Sequence, residues 1–400
     1  MSQDARRQGS NVNLERDLLI QLIAESLATE LSLIRTAEPP LIPPRAVSVQ
    51  ALAVLVERER LTGFVRHHSE FFSLTPGLIG EIRKEGSRLS EFDLEIATLS
   101  LHAWTLRISR LLSEESIDHL VFKGWPLAMM SAAEASIRGA GDVDVLIRPE
   151  DAPLVDRMLT RSGFHPVYAL GPRSKLGWSF VCFRNRELPY RSDWAEVDVH
   201  WRVATEPEML PDASSLLRRA VTVGLSGQEI RTLHPSDALA ASAYHFYLDY
   251  CHSLRRLIDF IRLCARADGG VLIDLPLASR QVIADLVCFC ETLFGLRLPE
   301  LGGLPDPSTR NVVAMFDMFQ RSHGPGEPST VLNRGGGGPL RRNFRHLSRY
   351  SSRRALIVRM IARGLVWFPK TADHPRRIGM VQAFLWQLGR LLRGRTNSDI

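Results

Sequence analysis

Acidic residues recur at alternate positions in two short apolar segments of the sequence. Asp142 and Asp144 lie in GDVDVLI, whereas Asp198 and His200 lie in EVDVH, which begins with Glu196. Residues i and i+2 of a β-strand point to one face, about 6–7 Å apart. Like charges on one face repel each other, and a half-buried strand ordinarily places Val, Ile or Thr there. We therefore expect a cation beside these carboxylates.

The three aspartates predict a metal site. If the two strands are neighbours, Asp142, Asp144 and Asp198 converge on an oxygen-rich pocket. Mg²⁺ prefers carboxylate oxygens and usually binds together with substrate phosphates. Two such ions, about 3.5–4 Å apart, clamp the attacking and leaving oxygens of an in-line phosphoryl displacement. We expect Asp142 and Asp144 to bridge two Mg²⁺ ions, with Mn²⁺ able to substitute, and Asp198 to hold the ion nearer the attacking hydroxyl and help deprotonate it.

The repulsion between these charges also predicts an effect on stability. Because the acids repel one another when no metal is bound, the variant Asp144→Asn is expected to melt, without metal, at a temperature equal to or higher than that of the unaltered protein.

Short strands and helices alternate around the acids. Five apolar runs are predicted to be strands: IDHLVFKG, GDVDVLI, HPVYAL, GWSFVCFRN and AEVDVHWRV. Two runs with apolar residues three and four apart are predicted to be helices: WPLAMMSAAEASI and PEDAPLVDRMLTRSGF. Pro126 stands in the first turn of the former, where its missing N–H costs nothing.

Periodicity and composition divide the chain into six segments. They are an N-terminal helix (Asn13 to Thr36) with a Pro-rich connector (1–45), a helical segment (46–117), the α/β unit (118–205), a helical domain (206–320), a Gly-rich linker (321–340) and a basic amphipathic helical tail (341–400). The predicted fold class is therefore α+β, a small mixed sheet embedded between helical segments.

The order of the motifs resembles a known family. VFKGWPLAMM, IRGAGDVDVLI and AEVDVHW are similar to the bacterial uncharacterised nucleotidyltransferase family of the DNA polymerase β-type nucleotidyltransferase superfamily. The family pattern runs Leu-Lys-Gly, then Arg-x-x-x-Asp-hydrophobic-Asp, then Asp-hydrophobic-His-Trp. The matching positions are Lys123, Gly124, Arg138, Asp142, Asp144, Asp198, His200 and Trp201. The resemblance covers about residues 118–265, including His245 and Asp259 on the downstream helices.

The resemblance implies a polymerase β-like core and an enzyme that transfers a nucleoside monophosphate from an NTP to an acceptor, with release of pyrophosphate. The residues implied to bind the nucleotide are Lys123, Gly124, Arg138, Gly141 and His200. Polymerase β-like enzymes commonly carry Gly-Ser or Gly-Gly at the first turn, whereas this chain carries Lys123-Gly124. Gly124 still lets the backbone approach a phosphate, and Lys123 could supply charge in place of the hydroxyl.

Several of these residues have a structural alternative. The acids of GDVDVLI could pair with Arg138 and Arg148 as surface charges. Lys123 could form a salt bridge rather than contact phosphate, and Arg138 could neutralise the acids when no metal is bound. His200 could orient Asp198 by a hydrogen bond or contact the substrate. A histidine further along, His245, is expected to be a packing residue.

Two other classes of function stay open at this point. One is a catalytically inactive nucleotidyltransferase fold that only binds nucleotide or a partner, and the other is a two-metal phosphotransferase or nuclease. The acceptor is a sugar, a lipid-linked sugar, a peptide, a protein or RNA. No DNA partner is expected, and no RNA-binding module with stacked aromatics is recognisable.

The basic residues concentrate at the C-terminus. Residues 322–400 contain fifteen Lys or Arg against three acids, although the whole chain has a net charge of only +6. SSRRALIVRMIARGLVWFP and RRIGMVQAFLWQLGRLLRGR combine an apolar face with Arg and Trp, as do helices that lie at a membrane interface. The alternative is that these helices pack on an acidic body. With no signal peptide and no spanning run, a cytoplasmic protein is expected, with peripheral contact to the inner face of the membrane under the first alternative.

Overall fold

The structure is a computed structural model that describes residues 3–36, 47–72, 77, 80–81, 91–130, 141–167, 174–204, 206, 208–225, 227–249, 251–267, 272 and 274–322. Arg138 and the basic tail lie outside these ranges, so the predictions about them stay predictions. The proposed division into six segments is likewise a prediction.

Helices make up most of the described chain. They are α1 (Gln3–Glu30), α2 (Val49–Arg58), α3 (Thr62–His67), α4 (Ser69–Phe72), α5 (Glu91–Glu114), α6 (Gly124–Met130), α7 (Ala152–Arg161), α8 (Lys175–Arg184), α9 (Ala213–Arg219), α10 (Pro235–Leu248), α11 (Leu254–Arg266), α12 (Leu277–Phe294) and α13 (Thr309–Ser322). Side-chain caps begin several of them: Ser48, Ser174, Asp212 and Ser253 accept backbone N–H bonds at the starts of α2, α8, α9 and α11.

The strands form one five-stranded sheet and two small pairs. They are β1 (Ile34–Arg35), β2 (His119–Phe122), β3 (Val143–Ile147), β4 (His165–Pro166), β5 (Glu187–Arg191), β6 (Glu196–His200), β7 (Val221–Leu225), β8 (Gln228–Thr232) and β9 (Leu296–Arg297). The large sheet has the order β2-β3-β6-β5-β4. Its β3–β6 pair is parallel and its other pairs are antiparallel. A mixed sheet among helices confirms the predicted α+β class.

The sheet separates two hydrophobic cores. On β3, Val143 and Val145 pack into a core with α5 and α7, whereas Leu146 belongs to the larger core that α10, α11 and α12 share. Because side chains alternate along a strand, Asp144 lies on the same face as Leu146. Asp198 and His200 alternate in the same way with Val197 and Val199 of the first core. The polar face of the sheet therefore points toward the helical layer.

One predicted strand is wrong. GWSFVCFRN belongs to α8, whose Ser174 cap accepts from the Gly177 N–H. Trp178 is buried, and Val181 and Cys182 pack against the same core at positions three and four residues further on. That spacing is helical, and it outweighs the β propensity of the run. The strand lies in the next segment instead, because β5 alternates with Leu188 and Tyr190 buried.

Other element bounds also differ from the predictions. The N-terminal helix was expected to reach Thr36, but α1 ends at Glu30 and the chain turns into β1, which pairs with β9. Within HPVYAL only His165–Pro166 is a described strand, and the residues from 168 onward lie outside the described ranges. The β7–β8 hairpin, closed through Gly227 at φ 77°, stands where the pattern indicated only helices.

In the part of the chain that the structure describes, no helix is long and apolar enough to cross a membrane.

Candidate active site

Asp144 and Asp198 lie side by side at the centre of the sheet. They are direct partners in the parallel β3–β6 pair, and Leu146 pairs with His200 two residues further on. Asp144, Asp198 and His200 each offer one ligand atom, and these atoms all lie within 4.8 Å of one another. Carboxylate oxygens and an imidazole nitrogen are donors that divalent metal ions accept. The three side chains could therefore hold a metal ion.

Asp144 is buried and strongly paired. Its Oδ1 accepts from Lys123 Nζ at 2.5 Å and from His200 Nε2 at 2.9 Å. Burial by itself raises the pKa of Asp144, but the Lys123 ammonium and the His200 hydrogen bond outweigh it and hold the pKa well below its ordinary value. Asp144 is therefore an ionised carboxylate that already has its counter-charge.

Asp198 is the carboxylate whose charge is not balanced. Burial raises its pKa first, and the negative charges of Asp144, Asp142 and Glu187 add to that effect, while Lys123 opposes it. The resulting pKa is about 7. A carboxylate with such a pKa is costly to ionise in the metal-free protein, and a bound cation would remove that cost.

The turn between β2 and α6 brings Lys123 to Asp144. Lys123 and Gly124 both have positive φ angles, 60° and 43°. Glycine adopts this left-handed region readily, whereas for a lysine it costs on the order of 1 kcal/mol. The Lys123 ammonium also lies 5.1 Å from the centre of the Phe122 ring. This backbone conformation permits the ion pair between Lys123 and Asp144, and the ion pair offsets the energetic cost of the strain.

His200 lies between two carboxylates. Its Nε2 bonds Asp144, and its Nδ1 lies 3.1 Å from Oε2 of Glu187 on β5. Arg186 Nε in turn lies 2.9 Å from the same oxygen of Glu187. Glu187 was not among the residues identified from the sequence, because it belongs to the strand that pattern analysis did not find. The alternation of Leu188 and Tyr190 in RELPYR is the signal that could have revealed it.

A cavity of about 190 Å³ opens beside the acids, toward α10 and α11. Its charged lining consists of four cations and three acids: Arg60, Lys123, Arg255, Arg256, Asp142, Asp144 and Asp259. His245 also lines it and is buried, with its Nε2 lacking a hydrogen-bond partner among the described residues. Burial and the surrounding cations hold the pKa of His245 well below its ordinary value, so the imidazole is neutral. His245 was expected only to pack, yet it faces the cavity.

The remaining predicted site residues differ in their positions. Asp142 precedes β3 and lines the cavity, but it is not part of the compact group that Asp144, Asp198 and His200 form. Gly124 and Gly141 also line the cavity. The salt-bridge alternative for Lys123 describes this structure, in which its ammonium contacts Asp144.

One acid and one base considered from the sequence, Glu196 and Arg148, are not among the residues that line the cavity. Glu196 is exposed and pairs with Arg191 on the neighbouring strand. Arg148 pairs with Asp118 rather than with the aspartates of GDVDVLI.

Comparison with known proteins gives one family match. A family model described as an uncharacterised nucleotidyltransferase matches residues 45–282, which is more than half of the chain. No curated protein matches the chain.

Proposed function

This chain belongs to the uncharacterised nucleotidyltransferase family, and from that premise we propose that it transfers a nucleoside monophosphate from an NTP to an acceptor and releases pyrophosphate. The proposed reaction uses Mg²⁺, with Mn²⁺ as a substitute, in an in-line displacement of the kind that two carboxylate-bound ions support. The acceptor carries a hydroxyl or a similar nucleophile and belongs to a sugar, a lipid-linked sugar, a peptide, a protein or RNA.

The observation that supports this proposal most is the register of two aspartates beside a cationic cavity. Asp144 and Asp198 are partners on adjacent parallel strands. Asp144 lines the cavity together with Arg60, Arg255 and Arg256, whereas Asp198 is not among the lining residues. A metal–triphosphate needs both kinds of charge, acids for the metal and cations for the phosphate oxygens. The cavity offers both in one place.

The residues of the site fit a divalent metal ion. Asp144, Asp198 and His200 would hold it; the pKa of Asp198 is raised first by burial and then by the neighbouring negative charges, which a bound cation would balance. Asp142, at the edge of the same cavity, is proposed as a further carboxylate ligand. When bound, the ion would supply charge neutralisation at the phosphate oxygens.

The side chains have distinct roles in the proposed reaction. The acceptor oxygen attacks the α-phosphorus, the bond from this phosphorus to the bridging oxygen breaks, and pyrophosphate leaves. Asp198 would hold the ion nearer the acceptor hydroxyl and help to deprotonate that hydroxyl. Lys123 and the backbone at Gly124, which line the cavity, would hold the phosphates.

The reaction can be tested with labelled nucleotides. The protein is incubated with Mg²⁺, cell extract and each of the four NTPs, labelled either at the α- or at the γ-phosphate. We expect the α-label to appear in an adduct while pyrophosphate accumulates, and both signals to vanish for Asp198→Asn. Glu196→Gln, an exposed acid two residues away on the same strand, is the matched control and should retain activity.

Other outcomes would favour the alternative functions. Transfer of the γ-label would identify a phosphotransferase. Tight Mg²⁺–NTP binding without any transfer would identify a binding protein, an alternative that the Lys123–Asp144 ion pair and the separate position of Asp142 favour. A protein that neither binds Mg²⁺–NTP nor releases pyrophosphate would refute the proposal.

A further inference from the structure

The imidazole of His200 has one satisfied nitrogen and one unsatisfied nitrogen. The side chain is 0% exposed, and its Nε2 lies 2.9 Å from Asp144 Oδ1. On the other side, Nδ1 and Glu187 Oε2 are 3.1 Å apart but are not aligned as a hydrogen bond. Among the described residues Nδ1 has no hydrogen-bond partner, whereas Oε2 has the guanidinium of Arg186 2.9 Å away as an ion-pair partner. Such orphaned polar atoms are rare in native proteins and costly.

The proton positions explain the unsatisfied nitrogen. An ionised carboxylate only accepts hydrogen bonds, so His200 Nε2 must donate to Asp144. A neutral imidazole carries one N–H, so its Nδ1 then has a lone pair facing the Glu187 carboxylate. Two acceptors therefore oppose each other in the metal-free site. Moving the single proton to Nδ1 would satisfy Glu187 but would release the bond to Asp144.

With a cation held at the aspartates, His200 would favour the other tautomer. A metal ion binds neutral imidazole through a nitrogen lone pair, and a second hydrogen bond from the other nitrogen fixes the ring. We propose that Glu187 is a positioning residue: it accepts the Nδ1 proton of His200 and so turns the Nε2 lone pair toward the cation held by Asp144 and Asp198. The imidazole stays neutral, because the proton that leaves Nε2 passes to solvent water and Nδ1 takes up a proton from solvent water.

Glu187 is itself held in place for this role. Arg186 Nε lies 2.9 Å from Glu187 Oε2, the same oxygen that faces the imidazole. Phe122 packs against the His200 ring, with 4.9 Å between the ring centres. Trp201, the next residue, donates to the backbone carbonyls of Cys182 and Asn185. These contacts confine the ring to its position between the two carboxylates.

The inference specifies the metal chemistry of the proposed function, on which it rests. Two carboxylates and one imidazole form a softer set of metal ligands than three carboxylates would. Imidazole favours later divalent ions, and affinity along the first row rises from Mn²⁺ onward. We therefore expect Mn²⁺ to bind more tightly than Mg²⁺, with a nitrogen among its ligands.

The first experiment uses the unaltered protein and follows the proton. Two-dimensional ¹⁵N–¹H NMR of ¹⁵N-histidine-labelled protein distinguishes the two neutral tautomers, with His200→Gln used to assign the signal. We expect the Nε2–H form in EDTA and the Nδ1–H form on saturation with Mg²⁺ and a non-hydrolysable NTP analogue. A His200 signal that keeps its Nε2–H pattern in the saturated protein would overturn the inference.

The second experiment measures the metal with variants at Glu187. In Mn²⁺-loaded protein, electron spin-echo spectroscopy should detect hyperfine coupling to one imidazole nitrogen. Glu187→Ala should weaken Mn²⁺ binding about 10–100-fold, the range known for residues that orient metal ligands. Glu187→Gln, which keeps an acceptor oxygen, should recover part of the loss. Glu196→Ala, on the neighbouring strand and exposed, is the control and should leave the Mn²⁺ affinity unchanged.

The results also separate this inference from the proposed function. Mn²⁺ bound without nitrogen coupling, together with α-phosphate transfer, would refute the role of Glu187 while the proposed function stands. Loss of affinity in Glu187→Ala supports the inference only if its circular dichroism and melting match the control. An equal loss in Glu187→Gln and Glu187→Ala, with no tautomer change in the unaltered protein, would assign Glu187 a purely structural role.

Discussion

The two aspartates of the parallel strand pair should respond in opposite directions to the loss of their charge. In the metal-free protein Asp198 carries unbalanced charge, whereas Asp144 is paired with Lys123 and His200. Asp198→Asn should therefore stabilise the protein at pH 8, and Asp144→Asn should destabilise it. The variants change one atom type each at adjacent positions of the same sheet, so each serves as the control for the other.

The size of the effect follows from the pKa of Asp198. Folding raises this pKa from an ordinary 3.8 to about 7. Below about pH 4 Asp198 is protonated in both the native and the unfolded state, so its charge does not change the free energy of unfolding. Between pH 4 and 7 the native state keeps a proton that the unfolded state has lost, so the free energy of unfolding falls as pH rises. Three pKa units correspond to at most about 4 kcal/mol, and solvent screening at this half-buried group reduces that to about 1–2 kcal/mol.

The assay is urea unfolding in EDTA at pH 4.5 and pH 8. At pH 8 the free energy of unfolding of Asp198→Asn should be about 1–2 kcal/mol higher than that of the unaltered protein. At pH 4.5 this difference in free energy should largely vanish. Asp144 has a lowered pKa, so its contribution is present at pH 8 and is lost as pH falls through the folded pKa. A stabilisation by Asp198→Asn of equal size at both pH values, or a destabilisation at pH 8, would refute the assignment of the excess charge to Asp198.

Three further predictions follow from the site and the tail. Asp198 must lose its proton to bind metal, so the rise in melting temperature caused by Mg²⁺ should be smaller at pH 5.5 than at pH 8. An equal rise at both pH values would contradict a carboxylate of pKa about 7 in the site. Lys123→Gly and Lys123→Ala both remove the ion pair, but φ at this position is 60°, which favours glycine. In thermal or urea unfolding the glycine variant should therefore be more stable than the alanine variant by about 1 kcal/mol. Equal stability of the two variants would argue against backbone strain at Lys123. Truncation within the Gly-rich linker, near Gly336, should leave a folded protein that binds NTP but no longer associates with anionic liposomes at low salt. If the full-length protein ignores such liposomes, or if the truncated protein unfolds, the tail packs on the body instead.

The sequence was sufficient to locate the acids and the fold class. Alternation along a strand is a local property, so GDVDVLI and EVDVH by themselves place Asp144 with Leu146, and Asp198 with His200. The order of motifs was enough to identify the family, because four elements occur in the right sequence. Apolar periodicity predicted most of the helices for the same reason, since it too depends on near neighbours.

Local patterns were ambiguous where a run was apolar without a clear period. GWSFVCFRN has the residue types of a strand and forms α8, because Trp178 and Val181 contact one core when the run is helical. Because this run was predicted to be the strand, β5 and its residue Glu187 were not predicted. A short apolar run takes its conformation from the core that it meets, and this core is assembled from distant parts of the chain.

Only the tertiary structure decided how charge is distributed in the site. From the sequence alone we expected Asp144→Asn to leave the melting temperature of the metal-free protein unchanged or to raise it, because two like charges lie on one face of the strand. In the fold, β2 pairs with β3 so that Phe122 lies opposite Asp144, and the turn after Phe122 brings the Lys123 ammonium to that carboxylate. The excess charge is left on Asp198. The pKa of a carboxyl group depends on burial and on charges within a few ångströms, and strand register, which joins residues far apart in the chain, fixes both.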